Sequence, residues 1–177
     1  MNENLDLGTI LPEIIEAKQK KFAILVMNTN DNFRINSETS EKFKIKSCEN
    51  ALKSSVTTWR HFVEKSNHKK IVIIGHSYGG AVSLNLAAEF AEDFEKRVIA
   101  VLLTDAAHGY LTIPAFLRKI CINFVASEEP LDTDLGVDGS GIMTRSAGNP
   151  VHEWTPSSTR PLLFTYIDQA LTKKTNF

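Results

Sequence analysis

The sequence predicts an α/β fold in which a mostly parallel sheet carries helices on both faces. Short runs that are apolar throughout alternate with segments whose apolar residues recur at three- and four-residue steps. These are the patterns of buried strands and amphipathic helices. A third observation is the stretch 71–80, where an apolar run leads directly into Gly-x-Ser-x-Gly and then into a helical pattern. That order is typical of a nucleophile elbow, so we expect a single α/β-hydrolase-like domain over residues 1–177.

The first elements are predicted from caps and apolar runs. Residues 9–20 should form a helix, because Thr9 can cap its N-terminus and Pro12 falls in its first turn. Residues 22–27 are continuously apolar and should form a strand that is a parallel neighbour of the later strands. Residues 33–47 are mostly polar without clear periodicity, which predicts a loop.

The remaining elements follow from the same patterns. They are an amphipathic helix at 48–66, a strand from 71, the elbow helix at about 81–90, a strand at 98–103, a short helix at about 113–120, a strand at 121–126, one strand near 142–144 and a last helix. The last helix should begin near Ser158, with Pro161 in its first turn.

The elbow has a specific chemical meaning. A serine at the tip of so tight a turn requires neighbours with almost no side chain, and Gly75 and Gly79 meet that requirement around Ser77. The turn presents the Ser77 hydroxyl at the start of a helix. There the N–H of Tyr78 and the helix dipole can face a developing oxyanion.

The partners of Ser77 are predicted from chain order. In this fold the serine is followed by an acid and then by a histidine, each on a loop after a strand. His152 lies between the last predicted strand and the last helix, so it is the candidate base. Glu129 and Asp105 follow consecutive strands and remain equal candidates for the acid, with Asp132 third. The other histidines lie in the helix before the elbow, a solvated turn, the elbow and the end of a strand: His61, His68, His76 and His108.

Composition narrows the class of protein. A net charge of −1, from 20 basic and 21 acidic residues, argues against a nucleic-acid-binding or membrane-surface protein. No apolar run is long enough to span a membrane, and the polar N-terminus is unlike a secretory signal. Cys48 and Cys121 lie far apart, which predicts reduced thiols and no metal site or other cofactor. We therefore expect an intracellular protein, nuclear or cytoplasmic.

Several motifs together carry a family resemblance. They are Asn-Glu-Asn-Leu-Asp-Leu-Gly-Thr at 2–9, Val-Met-Asn-Thr-Asn at 26–30, Trp-Arg-His at 59–61, His-Ser-Tyr-Gly-Gly at 76–80, Leu-Thr-Asp at 103–105, Ser-Glu-Glu-Pro-Leu-Asp-Thr at 127–133, Ser-Ala-Gly at 146–148 and His-Glu at 152–153. In these motifs, which cover nearly the whole chain, it resembles the argonaute-binding-protein-two domain family. The resemblance implies an α/β-hydrolase fold and a nuclear association with argonaute, small-RNA silencing, heterochromatin and splicing control. It also carries over Ser77, Asp105, Glu129 and His152 as site positions.

One departure from that family bears on activity. Members carry a strand and a Gly-containing loop upstream of the segment that matches 2–9, and that loop would supply the second oxyanion donor. This chain begins after it, so we expect the N-terminal strands to be missing. Losing one such donor costs about a hundredfold in rate or more. The sequence therefore predicts a protein-interaction module with an argonaute-type or silencing-complex partner, and a serine hydrolase of esters or thioesters as the alternative.

Overall fold

The structure is a computed structural model that describes residues 5–107 and 113–172. His108 and the first residues of the 2–9 motif lie outside the described residues. The helices are α1 (Leu5–Gly8), α2 (Leu11–Gln19), α3 (Ala51–Thr58), α4 (Gly79–Glu89), α5 (Ala91–Arg97), α6 (Ala115–Arg118) and α7 (Thr155–Thr172). The strands are β1 (Phe33–Ile35), β2 (Lys42–Lys44), β3 (Ile71–His76), β4 (Val98–Thr104), β5 (Cys121–Val125), β6 (Asp134–Val137) and β7 (Met143–Ser146). A π-helical turn, Trp59–Val63, follows α3, and a 3-10 turn, His152–Trp154, precedes α7.

A mostly parallel sheet forms the centre of the fold. Its strands lie in the order β3-β4-β5-β7-β6, in which the first four are parallel and β6 alone runs antiparallel, against β7. The β3–β4 register pairs Ile73 with Val101, so the apolar runs of both strands lie side by side. This arrangement confirms the predicted α/β class and the parallel pairing of the strands at 71, 98 and 121.

Alternate residues of β4 face two separate apolar cores. Val101 and Leu103 belong to the core that includes α4, whereas Leu102 belongs to the core that includes α7. All three side chains are fully buried. Because successive residues of a strand point to opposite faces, helices pack on both faces of the sheet.

The strand predicted at residues 22–27 is not formed. Apart from Phe22, whose N–H donates to the Ala17 carbonyl, none of these residues makes a backbone hydrogen bond with the described part of the chain. Ile24, Leu25 and Val26 are instead exposed. A strand requires a hydrogen-bonded neighbour. An apolar run without one stays irregular, whatever its β propensity.

The segment 33–47, predicted as a loop, contains the antiparallel pair β1–β2. Phe33 pairs with Lys44, and the amide oxygen of Asn36 accepts the N–H groups of Glu38 and Thr39 in the connecting turn. Every residue of both strands is exposed, so neither face is buried. Each strand alternates apolar and polar residues but is only three residues long, which is too short for the period to stand out from the polar segment around it.

Other boundaries also differ from the predictions. The helix predicted at 48–66 begins after Asn50, whose side chain accepts the Lys53 N–H at 2.9 Å, and changes to π-helix at Trp59. The last helix begins at Thr155, so Pro161 lies inside it. The segment 127–150 holds two strands, β6 and β7, where one was predicted.

Candidate functional site: a serine elbow beside an Asp–His pair

Ser77 lies on the sharp turn between β3 and α4. Its φ of 53° is in the left-handed region, which a residue other than glycine rarely adopts. Three backbone hydrogen bonds hold it there. Its N–H donates to the Thr104 carbonyl at 3.1 Å, and its carbonyl accepts the N–H groups of Gly80 and Ala107 at 3.0 Å. The strained serine is therefore fixed to the carboxyl end of the neighbouring strand β4.

The glycines of the turn differ in how much room each has for a side chain. A Cβ on Gly75 would lie 3.1 Å from the Gly79 backbone and 3.2 Å from Leu103, so this position has little room for a side chain. A Cβ on Gly79 would meet nothing within 4 Å, and the steric requirement predicted there is not found. The steric requirement falls on Gly80 instead, where a Cβ would lie 2.6 Å from the Cβ of Ala106. The loop after β4 packs against α4 at this point.

Asp105 and His152 form the closest polar contact at the site. His152 Nδ1 lies 2.6 Å from Asp105 Oδ2, and both side chains are partly exposed. The other carboxylate oxygen of Asp105 accepts the Ala126 N–H at 3.0 Å, and the Asp105 N–H donates to the Phe124 carbonyl at 2.7 Å. The backbone at the end of β5 thus orients the carboxylate that contacts the imidazole. A carboxylate on Nδ1 favours the tautomer that leaves Nε2 free to accept a proton.

The two other acid candidates lie in different surroundings. Glu129 is exposed, and its carboxylate makes no hydrogen bond or ion pair with the described residues. Asp132 accepts hydrogen bonds from Arg145 Nε and, at 2.8 Å, from the Tyr166 hydroxyl. The structure therefore brings Asp105, and neither of the others, to His152.

Ser77 is near this pair without being hydrogen-bonded to it. His76, the residue before Ser77, has its ring centroid 4.5 Å from that of His152. Within residues 5–107 and 113–172, the Ser77 hydroxyl makes no direct hydrogen bond to the His152 ring. In enzymes such bonds often tighten only when substrate binds. The Tyr78 N–H also has no hydrogen-bond acceptor among the described residues, as a potential oxyanion donor should.

Two residues of this site were missed by sequence reasoning. Chain order excludes His76 as the base because it lies in the elbow, yet its ring packs on the candidate base. Thr104 enters the sequence analysis only as part of the Leu-Thr-Asp motif, although it holds both Ser77 and His76. Their common signal was position, since both are the last residues of adjacent parallel strands. The carboxyl ends of such strands meet where these folds place their sites.

Metal-binding clusters and membrane-spanning helices are both absent from the described ranges. No cluster of three or more His, Cys, Asp or Glu side chains there could hold a metal ion. Among the helices of 5–107 and 113–172, none is both long and apolar enough to cross a membrane.

Comparison with known proteins identifies the family. The model of the Arb2 domain matches residues 1–131. The cotranscriptional regulator ARB2A homolog of Dictyostelium discoideum is 30% identical over 98% of this chain and 54% of its own length. The chicken homolog is 26% identical over 98% of this chain and 54% of its own length, and human cotranscriptional regulator ARB2A is 25% identical over 99% and 55%. The chain spans about half the length of these relatives, and no solved structure matches it. The match over residues 1–131 places this chain in the Arb2 domain family.

Proposed function

We propose that this chain is a protein-interaction module of nuclear gene regulation, with an argonaute-type protein of small-RNA silencing or cotranscriptional control as its partner. The observation that carries the proposal is its membership of the Arb2 domain family, in which the matched relatives are named cotranscriptional regulators. Its net charge of −1 favours a protein partner over direct contact with RNA.

Exposed apolar side chains support a protein partner. Ile24, Leu25 and Val26 expose 41, 47 and 54% of their area. β3 is the edge strand of the sheet and also exposes Ile74, at 44%. Contiguous exposed apolar side chains are a common mark of protein-binding surfaces. We assign residues 24–26 to the surface that contacts the argonaute-type protein.

Binding to purified argonaute, measured by biolayer interferometry, tests this function. Val26→Asp places a charge on the assigned surface, and we expect it to weaken binding about tenfold or more. Val137→Asp is the matched control, because Val137 is 66% exposed on β6 at the opposite edge of the sheet. Both Val137→Asp and Ser77→Ala should leave the affinity for argonaute unchanged. Absence of binding by the wild type, or equal loss in the Val26 and Val137 variants, would contradict the proposal.

A second candidate function is hydrolysis of an ester or thioester by Ser77. It is favoured by one specific observation, the 2.6 Å contact between His152 and Asp105 in the chain order serine, acid, histidine. The Ser77 oxygen attacks the acyl carbon while His152 Nε2 takes the hydroxyl proton. His152 then gives that proton to the departing alcohol or thiol, and water releases the acyl group by the same steps. Asp105 orients the imidazole and stabilises its charged form.

A fluorophosphonate probe and short p-nitrophenyl esters test the second candidate. The Tyr78 N–H is the one oxyanion donor identified in the described part of the chain, so we expect slow labelling and negligible ester turnover. Labelling should disappear in Ser77→Ala and His152→Ala. Rapid stoichiometric labelling that depends on both residues would make the chain a working hydrolase. No labelling at all would exclude that candidate and leave the binding module.

A further inference from the structure

His76 is held at the site by a buried partner on the next strand. Its Nδ1 lies 2.9 Å from the carbonyl oxygen of Thr104 and 3.1 Å from the Thr104 hydroxyl. Thr104 is only 1% exposed and is the residue that pairs with His76 across β3 and β4. In the neutral ring, Nδ1 carries the proton that it donates to this carbonyl. The ring plane of His76 is therefore fixed relative to the sheet.

His152 is much less constrained by its own surroundings. It begins a short 3-10 turn, and its side chain is 41% exposed. Its ring is hydrogen-bonded to Asp105 and packs at a tilt against the ring of His76. A single hydrogen bond at Nδ1 allows the imidazole to pivot about that atom. The His76 ring lies against the imidazole and restricts this pivot on one side.

The residues that hold His76 and His152 are consecutive in the chain and lie at the end of β4. Thr104 holds His76 through its carbonyl, and Asp105 holds His152 through its carboxylate. The two rings are tilted by 33° with centroids 4.5 Å apart, which is within the range of favourable aromatic contacts. Ser77 follows His76 directly and is bonded through its N–H to the same Thr104 carbonyl. Ser77, the candidate base and the acid are thus all positioned by the carboxyl end of β4.

The electrostatics of the pair are consistent with this arrangement. Burial lowers the pKa of His76, the hydrogen bond to the Thr104 carbonyl raises it by less, and a charge on the neighbouring His152 lowers it again. The acidic groups that face it, Asp105 and Glu153, act in the opposite direction and are the weaker influence. A positive charge on His76 is thus disfavoured both by burial and by a charge on His152.

We propose that His76 is a positioning residue that packs on the ring of His152 and aims its Nε2 at Ser77. The proposal rests on the second candidate function, hydrolysis by Ser77, for its effect on rate. Its structural content, that the His152 ring is oriented by His76, is independent of any turnover.

The rate of fluorophosphonate labelling gives the first test. His76→Ala should lower the maximal labelling rate about tenfold or more, because the base loses its orientation, while probe binding changes little. His76→Phe keeps an aromatic face against His152 and should stay within about threefold of the wild type. His61→Ala is the matched control, since His61 is an exposed histidine of the π-helical turn that bonds only its own helix. Equal rates in the wild type and His76→Ala would overturn the proposal.

Nuclear magnetic resonance of the His152 ring gives the second test and needs no activity. Contact with the His76 face shields the ring protons of His152, so His76→Ala should move them towards the positions of the exposed His68. Its Nδ1 proton should also exchange faster with water as the ring pivots. Unchanged His152 resonances would overturn the proposal whether or not the chain hydrolyses anything. If His76→Ala does not fold, His76→Gln replaces it, because glutamine can still donate to Thr104 but has no ring.

The labelling rate and the His152 spectrum together distinguish failure of the hydrolase candidate from failure of the positioning role. A wild type that is never labelled removes the hydrolase candidate, and the His152 spectrum then decides the positioning role by itself. A labelled wild type whose His152 resonances and rate are both insensitive to His76 removes the positioning role and retains the hydrolase.

Discussion

His152 Nδ1 lies 2.6 Å from Asp105 Oδ2, although 47 residues separate the two along the chain. The contact joins the end of β4 to the 3-10 turn before α7, and the second oxygen of Asp105 is held by the Ala126 N–H at the end of β5. Three separate segments thus converge on one carboxylate. An acid restrained in this way has a fixed direction in which to orient an imidazole, as acid–base catalysis requires.

Replacement of Asp105 should act on Ser77 reactivity with little effect on folding. Asp105→Asn keeps the size of the side chain but no longer favours the reactive tautomer of His152. We expect labelling by a fluorophosphonate to become about a hundredfold slower or more. Glu129→Gln is the control, because the exposed Glu129 does not contact His152 and its loss should leave the rate unchanged. The opposite pattern, with Glu129→Gln slow and Asp105→Asn normal, would assign the acid role to Glu129.

The neighbouring glycines Gly79 and Gly80 should respond in opposite ways to the same substitution. A Cβ at Gly80 would lie 2.6 Å from the Cβ of Ala106, so Gly80→Ala should lower the free energy of unfolding by about 1–3 kcal/mol. Gly79 begins α4 and has open space at its Cβ position, so Gly79→Ala should be neutral or stabilise by up to about 1 kcal/mol. Urea unfolding of both variants measures the difference. Similar losses in the two would show that the turn, and not the contact with Ala106, sets the requirement.

The parts of the fold that the sequence predicts correctly are those with a strong local signal. β4 and β5 are almost entirely apolar because they lie inside a parallel sheet, and the edge strand β3 is apolar from Ile71 to Ile74. That composition is visible without the structure. The elbow is equally local, since strand, turn and helix follow one another within ten residues. The order serine, acid, histidine along the chain also indicates Ser77 and His152, but it leaves Asp105 and Glu129 as equal candidates for the acid.

The rest depends on neighbours that a single sequence does not specify. Residues 22–27 have the composition of a strand, but no described backbone lies alongside to pair with them. Asp105 and Glu129 follow adjacent parallel strands, and only the placement of the turn that carries His152 distinguishes them. Gly79 and Gly80 are likewise distinguished only by a tertiary contact. Gly80 lies against Ala106, 26 positions later in the chain, and Gly79 does not. In each case the missing information is tertiary, not local.

The Ser-Glu-Glu-Pro-Leu-Asp-Thr motif at 127–133 is fixed to α7 by the half-buried phenol of Tyr166. Tyr166 donates to Asp132 at 2.8 Å, and burial, followed by this carboxylate, raises the pKa of Tyr166 to about 12. A tyrosine whose pKa is raised on folding stabilises fully below its unfolded value and loses that contribution as pH rises through the folded one. Absorbance at 295 nm should therefore show a phenol that ionises near pH 12, absent in Tyr166→Phe.

The same bond predicts a modest loss of stability. Tyr166→Phe removes a hydrogen bond to a partly exposed carboxylate that Arg145 also contacts, so the free energy of unfolding should fall by about 1 kcal/mol. Thr165→Val is the control, because the Thr165 hydroxyl is exposed and reaches only the Pro161 carbonyl of its own helix, at 3.5 Å. Equal losses in the two variants would indicate that Tyr166 contributes through helix propensity alone.

His76 should make the stability of the chain depend on pH in the weakly acidic range. Burial lowers the pKa of His76 below its ordinary value of 6.5, so between the folded and unfolded pKa values the unfolded chain binds more protons. The free energy of unfolding must then rise with pH across that window. The stability is complete above pH 6.5, falls as pH drops below it, and becomes constant again below the folded pKa.

Substitution of His76 by glutamine should remove this dependence. Urea unfolding of the wild type and His76→Gln at about pH 7.5 and about pH 5 measures it, and we expect the wild type to lose more stability on acidification than the variant. His68→Gln is the control for the chemical change itself, since His68 is exposed and its side chain takes no part in the site. That variant should follow the wild type at both pH values. Parallel losses in the wild type and His76→Gln would mean that protonation of His76 costs no more in the folded chain than in the unfolded one, and that burial beside His152 does not disfavour its charge.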